Sequence, residues 1–171
     1  MGTTLDQYIQ SKGALPSRQA ARIGFLILQK ISAEFTAKTE DRPAVLQPSR
    51  VTVVSADQVE VAPGAEAHVA RTSPNYASPE EAQGIPGDYR SQFYSFGCTL
   101  FEFIAGFPPF EGDSQTVLKS HVRAPIPDPS EVALGVYPQL ADISGDLLNN
   151  DPVLRLRVVR ELAQRLKSCV T

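Results

Sequence analysis

Few side chains in this 171-residue sequence are of types that do chemistry, and their spacing excludes most of it. His68 and His121 are the two histidines, and neither has a second His, Cys or carboxylate at metal-ligand spacing, so both read as surface or capping residues. Cys98 and Cys169 fall inside apolar helical patterns, too few and too scattered for a disulfide framework or a zinc knuckle. A thiol in such a position is inert packing. Ser95-Phe96-Gly97 lacks the Gly-x-Ser-x-Gly elbow of a nucleophilic serine. Glu80 and Glu81 are adjacent, and neighbours on one helical turn point different ways, so they form no acid–base dyad. Catalytic residues, a metal site and a cofactor are therefore all expected to be absent.

The elements that must position these residues are mostly helices. Leu5 to Ser11 reads as a short helix closed by Gly13, and Leu15 to Ala37 as a long one with Ile23, Ile27, Ile31 and Phe35 on one face. Val51–Val54 and Val59–Val61 are β runs separated by Ser55-Ala56-Asp57-Gln58, which suits a tight turn, so a hairpin is expected. From Pro63 to Tyr89 the pattern is that of an ordered loop with one helical turn at Pro79–Gln83. Ser91 to Ala105 is apolar on nearly every side and belongs in the middle of the domain. After Gly106-Phe107-Pro108-Pro109-Phe110, Asp113 or Ser114 caps a short helix to His121. Helices at Pro138–Asn149 and Leu156–Ser168 follow, with Asp151-Pro152 as the break between them.

Composition bounds the class. With 42% hydrophobic and 20% charged residues the chain is in the ordinary globular range, and its length suits one domain spanning 1–171. A net charge of −3 gives no general attraction for a phosphate backbone, which disfavours nucleic acid. No segment approaches a membrane span and none reads as an export signal, so the expected compartment is a reducing cytoplasm. The last helix sets Arg155, Arg157, Arg160, Arg165 and Lys167 beside Leu156, Val159, Leu162 and Leu166. Packing of that apolar side on the domain is preferred to docking on a membrane surface.

Three segments, in order, carry a family resemblance: Tyr76-Ala77-Ser78-Pro79-Glu80-Glu81-Ala82-Gln83-Gly84; Asp88 to Cys98 followed by Gly106-Phe107-Pro108-Pro109-Phe110; and Asp151-Pro152-Val153-Leu154-Arg155. The chain resembles the C-terminal (large) lobe of a bacterial-type serine/threonine protein kinase. The resemblance implies a mainly α fold with a small β-hairpin, and a structural ion pair between Glu80 and Arg155. Ser73 and Thr72 occupy a segment that is phosphorylated or touches substrate in active relatives, and here read as turn residues.

The same resemblance implies that the chemistry is lost. Phosphoryl transfer in this family uses an Asp to orient the substrate hydroxyl, a Lys to neutralise charge, and an Asn and a second Asp to hold Mg²⁺. Val45 stands at the catalytic Asp position, Gln47 at the Lys and Arg50 at the Asn, while Pro63-Gly64-Ala65 replaces Asp-Phe-Gly. Valine cannot orient a hydroxyl, and an arginine cation is a poor neighbour for Mg²⁺. On the central helix Gln92 replaces the family's Asp. The small lobe would have to precede Gly2, where the sequence has no room for it, leaving a face for a protein partner or a homodimer. The expected function is thus that of a pseudokinase, a non-catalytic interaction or regulatory module in signalling. The alternative is a portion of a serine/threonine kinase with residual ATP binding or phosphotransfer.

Overall fold

The computed structural model describes residues 2–36, 46–62 and 73–170, and of residues 33–36 and 156 the backbone alone. Thr3–Thr4 (β1) leads into helix α1, Leu5–Lys12, and then α2, Ser17–Thr36. A 3₁₀ turn at Pro48–Arg50 precedes the hairpin strands β2, Val51–Ser55, and β3, Gln58–Val61. A second 3₁₀ turn, Pro74–Tyr76, precedes α3, Pro79–Ala82, and α4, Tyr89–Ala105. The chain closes with α5, Ser114–Arg123, α6, Pro129–Val132, α7, Pro138–Leu147, and α8, Pro152–Ser168. The result is mainly helical, with one small antiparallel sheet in the order β1-β2-β3.

Helix α4 organises the rest because it is apolar on all sides, as its sequence requires. Residues Ser91 to Ile104 are all buried. One side, with Phe93, Phe96, Leu100 and Phe103, joins the main core made with Ile23, Ile27 and Ile31 of α2, Leu140 and Ile143 of α7, and Leu162 and Leu166 of α8. The other side, with Tyr94, Cys98 and Phe101, packs on Tyr76 and Leu148 in a second cluster. Each fully buried Phe or Leu contributes about 1.5–3 kcal/mol of transfer free energy, so this helix is the largest single block of the core. Its ends are fixed: Asp88 accepts from the Arg90 N–H at the start, and Leu15 N–H donates to the Phe103 carbonyl (2.7 Å) near the finish.

The expected hairpin is present, paired Val51↔Val61 and Val53↔Val59, and it gains a third strand because Thr3 and Thr4 pair with Val53 and Thr52. Two residues are too short a run to announce a strand in sequence. The last helix begins at Pro152, four residues before its expected start. Asp151 accepts from the Val153 N–H (2.8 Å) as N-cap and Pro152 fills the first helical position, so this Asp-Pro starts a helix. Its apolar side packs on α2, α4 and α7, as preferred above. The short helix α6 was not expected; Asp128 caps it through the Ser130 N–H (2.8 Å). Among the described residues no helix is long and apolar enough to cross a membrane.

Helix α4 crosses α7 at Gly97. A Cβ built there would lie 2.8 Å from Leu147 Cβ and 3.2 Å from the Leu147 carbonyl carbon, so the bare backbone sets how closely the two helices approach. Gly97→Ala should therefore lower stability by about 1–3 kcal/mol through overpacking, although alanine is the better helix former. Gly145→Ala in α7, with nothing within 4 Å of the added Cβ, should instead raise it by up to ~1 kcal/mol. Urea denaturation of the two variants beside wild type checks the opposite signs.

Candidate functional site

The best-ordered polar constellation joins α3, α4 and α8. Ser78 caps α3: its hydroxyl and its N–H both donate to Glu81 Oε2 (2.8 and 2.9 Å). That fixes Glu81 on the capping side and turns Glu80 the other way, towards Arg155. Arg155 is fully buried, and its Nη2 donates to both Glu80 oxygens, at 2.9 and 2.7 Å. Its Nη1 donates to the Arg90 carbonyl (2.6 Å), and the guanidinium carbon lies 5.3 Å from the centre of the Tyr94 ring. Ser91 Oγ adds a third hydrogen bond to Glu80, at 2.7 Å. Burial pushes the Glu80 carboxyl up, but hydrogen bonds from Arg155 and Ser91 outweigh it and hold the group below its usual range.

Two further buried pairs tie the segment after Ser73 to the same scaffold. The Tyr76 hydroxyl donates to Glu102 Oε2 at 2.5 Å, and Ser95 Oγ donates to the Tyr76 carbonyl at 2.8 Å. Burial raises both the Tyr76 hydroxyl and the Glu102 carboxyl, and the Asp6 carboxylate nearby adds to each shift. The Tyr94 hydroxyl stands 2.8 Å from His121 Nδ1, with Phe110 set edge-on against the imidazole. His121 is thus a core residue, 1% exposed, which corrects its reading as a surface or capping histidine. An amphipathic α5 lays this position against α4, and its Nε2 is buried without a well-formed hydrogen bond among the described residues. Burial lowers the imidazole to about 4.

The positions expected to have lost chemistry are only partly described. Val45 and Pro63, Gly64 and Ala65 lie outside the described residues, as do His68 and Thr72. Gln47 and Arg50 flank the 3₁₀ turn at Pro48–Arg50. Gln47 Nε2 donates to Ser49 Oγ (3.0 Å), while Gln47 Oε1 is buried without a hydrogen bond. Arg50 Nη2 donates to the Ala62 carbonyl (2.8 Å), and the Ala62 N–H donates to the Arg50 carbonyl (2.8 Å), so this residue closes the open end of the hairpin twice. Thr99 Oγ1 donates to the Leu46 carbonyl (3.4 Å), tying α4 to this turn; Gln92 is buried on the same helix. Ser73 caps the second 3₁₀ turn through the Asn75 N–H (3.4 Å). Cys98 and Cys169 are free and buried, and burial raises both thiols, which suits inert packing. Among the described residues no three His, Cys, Asp or Glu side chains gather as a metal site.

Tyr76–Glu102 and Tyr94–His121 join residues 26 and 27 positions apart, and nothing in local periodicity links them. The density of aromatic residues around Tyr94 is the signal the sequence offers.

No family model matches the chain. It is 31% identical over 171 residues to a probable serine/threonine-protein kinase of Clostridium perfringens, covering 94% of this chain and 25% of that protein. It is 30% identical over 175 residues to the serine/threonine-protein kinase PknB of Mycobacterium leprae, covering 94% and 28%. A segment of 61 residues, 35% of this chain and 9% of the relative, is 46% identical to the DNA damage-responsive serine/threonine-protein kinase RqkA of Deinococcus radiodurans. The chain resembles the large lobe of bacterial serine/threonine protein kinases. It spans about a quarter of the length of the relatives it matches almost end to end.

Arg155 is more deeply buried than its partner, whose side chain keeps 17% exposure. Glu80→Ala, which strands the buried cation, should cost about 3–5 kcal/mol, Arg155→Met less, and the double variant less than the sum. Urea denaturation of all three, at neutral pH, reads these differences.

His121 supplies a pH dependence. Its folded pKa is depressed, so the stability it contributes is present above 6.5, its ordinary value, and is lost as pH falls from there to about 4. The loss amounts to roughly 3 kcal/mol over that interval. His121→Gln should flatten this part of the stability profile, measured by thermal melting between those pH values.

Proposed function

We propose that the chain is a non-catalytic, kinase-like module that works by binding protein, in a regulatory or signalling role in a reducing cytoplasm. The observation that carries this reading is Arg50. At the position that the family gives to a magnesium-holding Asn, a guanidinium is committed to the Ala62 carbonyl, closing the hairpin. A fixed cation there repels a divalent ion and offers it no oxygen. Gln47, at the position of the family's Lys, is neutral and is engaged with Ser49. Val45 and Pro63 bring no carboxylate to the two remaining positions.

The scaffold supports the same reading from the other side. Glu80, Arg155, Ser91 and Tyr94 form a network of hydrogen bonds and ring contact that holds α3, α4 and α8 together. A lobe kept rigid in this way presents a defined surface, which is what a binding module needs. Its ligand in this proposal is a protein partner or a second copy of the chain, seated on the face that carries the 3₁₀ turn Pro48–Arg50 and the hairpin.

The names of the relatives favour a competing reading, in which the chain is a portion of an active serine/threonine kinase. Nucleotide separates the two. ATP with Mg²⁺ should leave the melting temperature unchanged up to millimolar nucleotide, with no incorporation of labelled phosphate into a generic serine/threonine substrate protein. A metal-dependent stabilisation, which at a hundred times Kd amounts to about 2.7 kcal/mol, would establish the competing reading.

A further inference from the structure

A shallow groove of about 460 Å³ lies where the segment before α6 meets α7 and α8. It is lined by Ile126, Pro127 and Pro129, by Ala141 and Gly145 of α7, and by Arg165 of α8. Ile126 is 39% exposed, a large apolar side chain left facing water at the rim. Three carboxylates, Asp128, Asp142 and Asp146, face the groove against the single guanidinium of Arg165, which is paired with Asp146 at 2.7 Å. The Asp128 carboxyl is held below its usual range by Ser130, so it keeps its charge.

Gly145 gives the groove its direction. Glycine weakens a helix interior, and a fold that keeps one there gains a close approach in return. The helical glycines Gly24 and Gly97 have such a neighbour, with built Cβ atoms 3.4 Å from Leu100 Cδ1 and 2.8 Å from Leu147 Cβ. At Gly145 no atom of the described residues beyond the adjoining helix backbone comes within 4 Å of a built Cβ. Space, a bare backbone, an apolar lining with prolines and an excess of negative charge occur at one place.

We propose that the groove between the α6 approach, α7 and α8 is a docking site for a short, extended, basic segment of a partner protein. The segment's backbone lies over Ala141 and Gly145, and its Lys or Arg side chains reach Asp142 and Asp128. An acidic segment is rejected by the same carboxylates. The partner's chemistry deepens the reading of the chain as a protein-binding module. The groove shares no residue with positions 47 and 50, so a nucleotide effect there and a peptide effect here succeed or fail separately.

The test uses the full chain and a fluorescein-labelled hexapeptide alternating arginine with alanine, beside its glutamate counterpart, read by anisotropy and by amide chemical shifts of the ¹⁵N-labelled protein. The arginine peptide should bind saturably, one per chain, with shifts centred on residues 126–129 and 141–146, and the glutamate peptide should not bind. Gly145→Phe, which fills the groove, and Asp142→Lys should each weaken binding about tenfold or more, while Glu111→Lys, the same charge change on the exposed turn before α5, should leave it within about twofold. Shifts centred elsewhere, an equal loss in Glu111→Lys, or displacement by spermine at matched charge would overturn the proposal, because charge alone would then explain the binding. Should Gly145→Phe fail to fold, the shift map on the unaltered protein still decides.

Discussion

A cation buried without access to water is the constraint around which the structure is arranged. Arg155 loses its hydration entirely, and an unpaired guanidinium in that place would cost several kcal/mol. The surroundings answer it from three directions: both oxygens of Glu80, the Arg90 carbonyl and the face of Tyr94. Each of these has its own dependency. Glu80 is aimed by the Ser78 cap and held by Ser91, the Arg90 carbonyl belongs to the first turn of α4, and the Tyr94 hydroxyl meets His121 of α5. One charge therefore fixes the relative placement of four helices. A hydrophobic residue of similar volume could fill the space, but it would not demand this set of partners.

That scaffold is independent of the groups that would perform phosphotransfer. Arg50 and Gln47 sit on the far side of a tie from Thr99 to Leu46 and are spent on closing the hairpin and its approach. The contacts that hold the helices together are thus separate from those of Gln47 and Arg50, and under the proposed reading that separation lets a kinase-like shape outlast its chemistry.

What the sequence made legible follows from periodicity and from local stereochemistry. The four-residue spacing of Ile23, Ile27 and Ile31 marks α2, and the aromatic density of Phe93 to Phe103 places α4 at the centre. Glu80 and Arg155 were paired through the motifs around them, which carry information across 75 positions that no local rule could. Tyr94 and His121 had no such motif. A lone histidine reads as a surface group by type, and its burial depends on which face of α5 meets α4, a fact that exists only in three dimensions. By sequence Asp151-Pro152 reads as a break because proline disfavours helix before it. The same residue at the first helical position is well tolerated, and the choice between these depends on the chain that follows.

The distance in sequence between Glu80 and Arg155 also governs when the molecule can close. A ribosome delivers the acidic partner long before the basic one, and most of the elements they unite have emerged before α8 exists. Until that last helix arrives, the aromatic underside of α4 has no lid and Glu80 no counterion, so the growing polypeptide must dwell in an open, chaperone-visible form. Final closure is set by a long-range encounter that waits for α8, and anything that delays α8 prolongs the exposure of everything made before it.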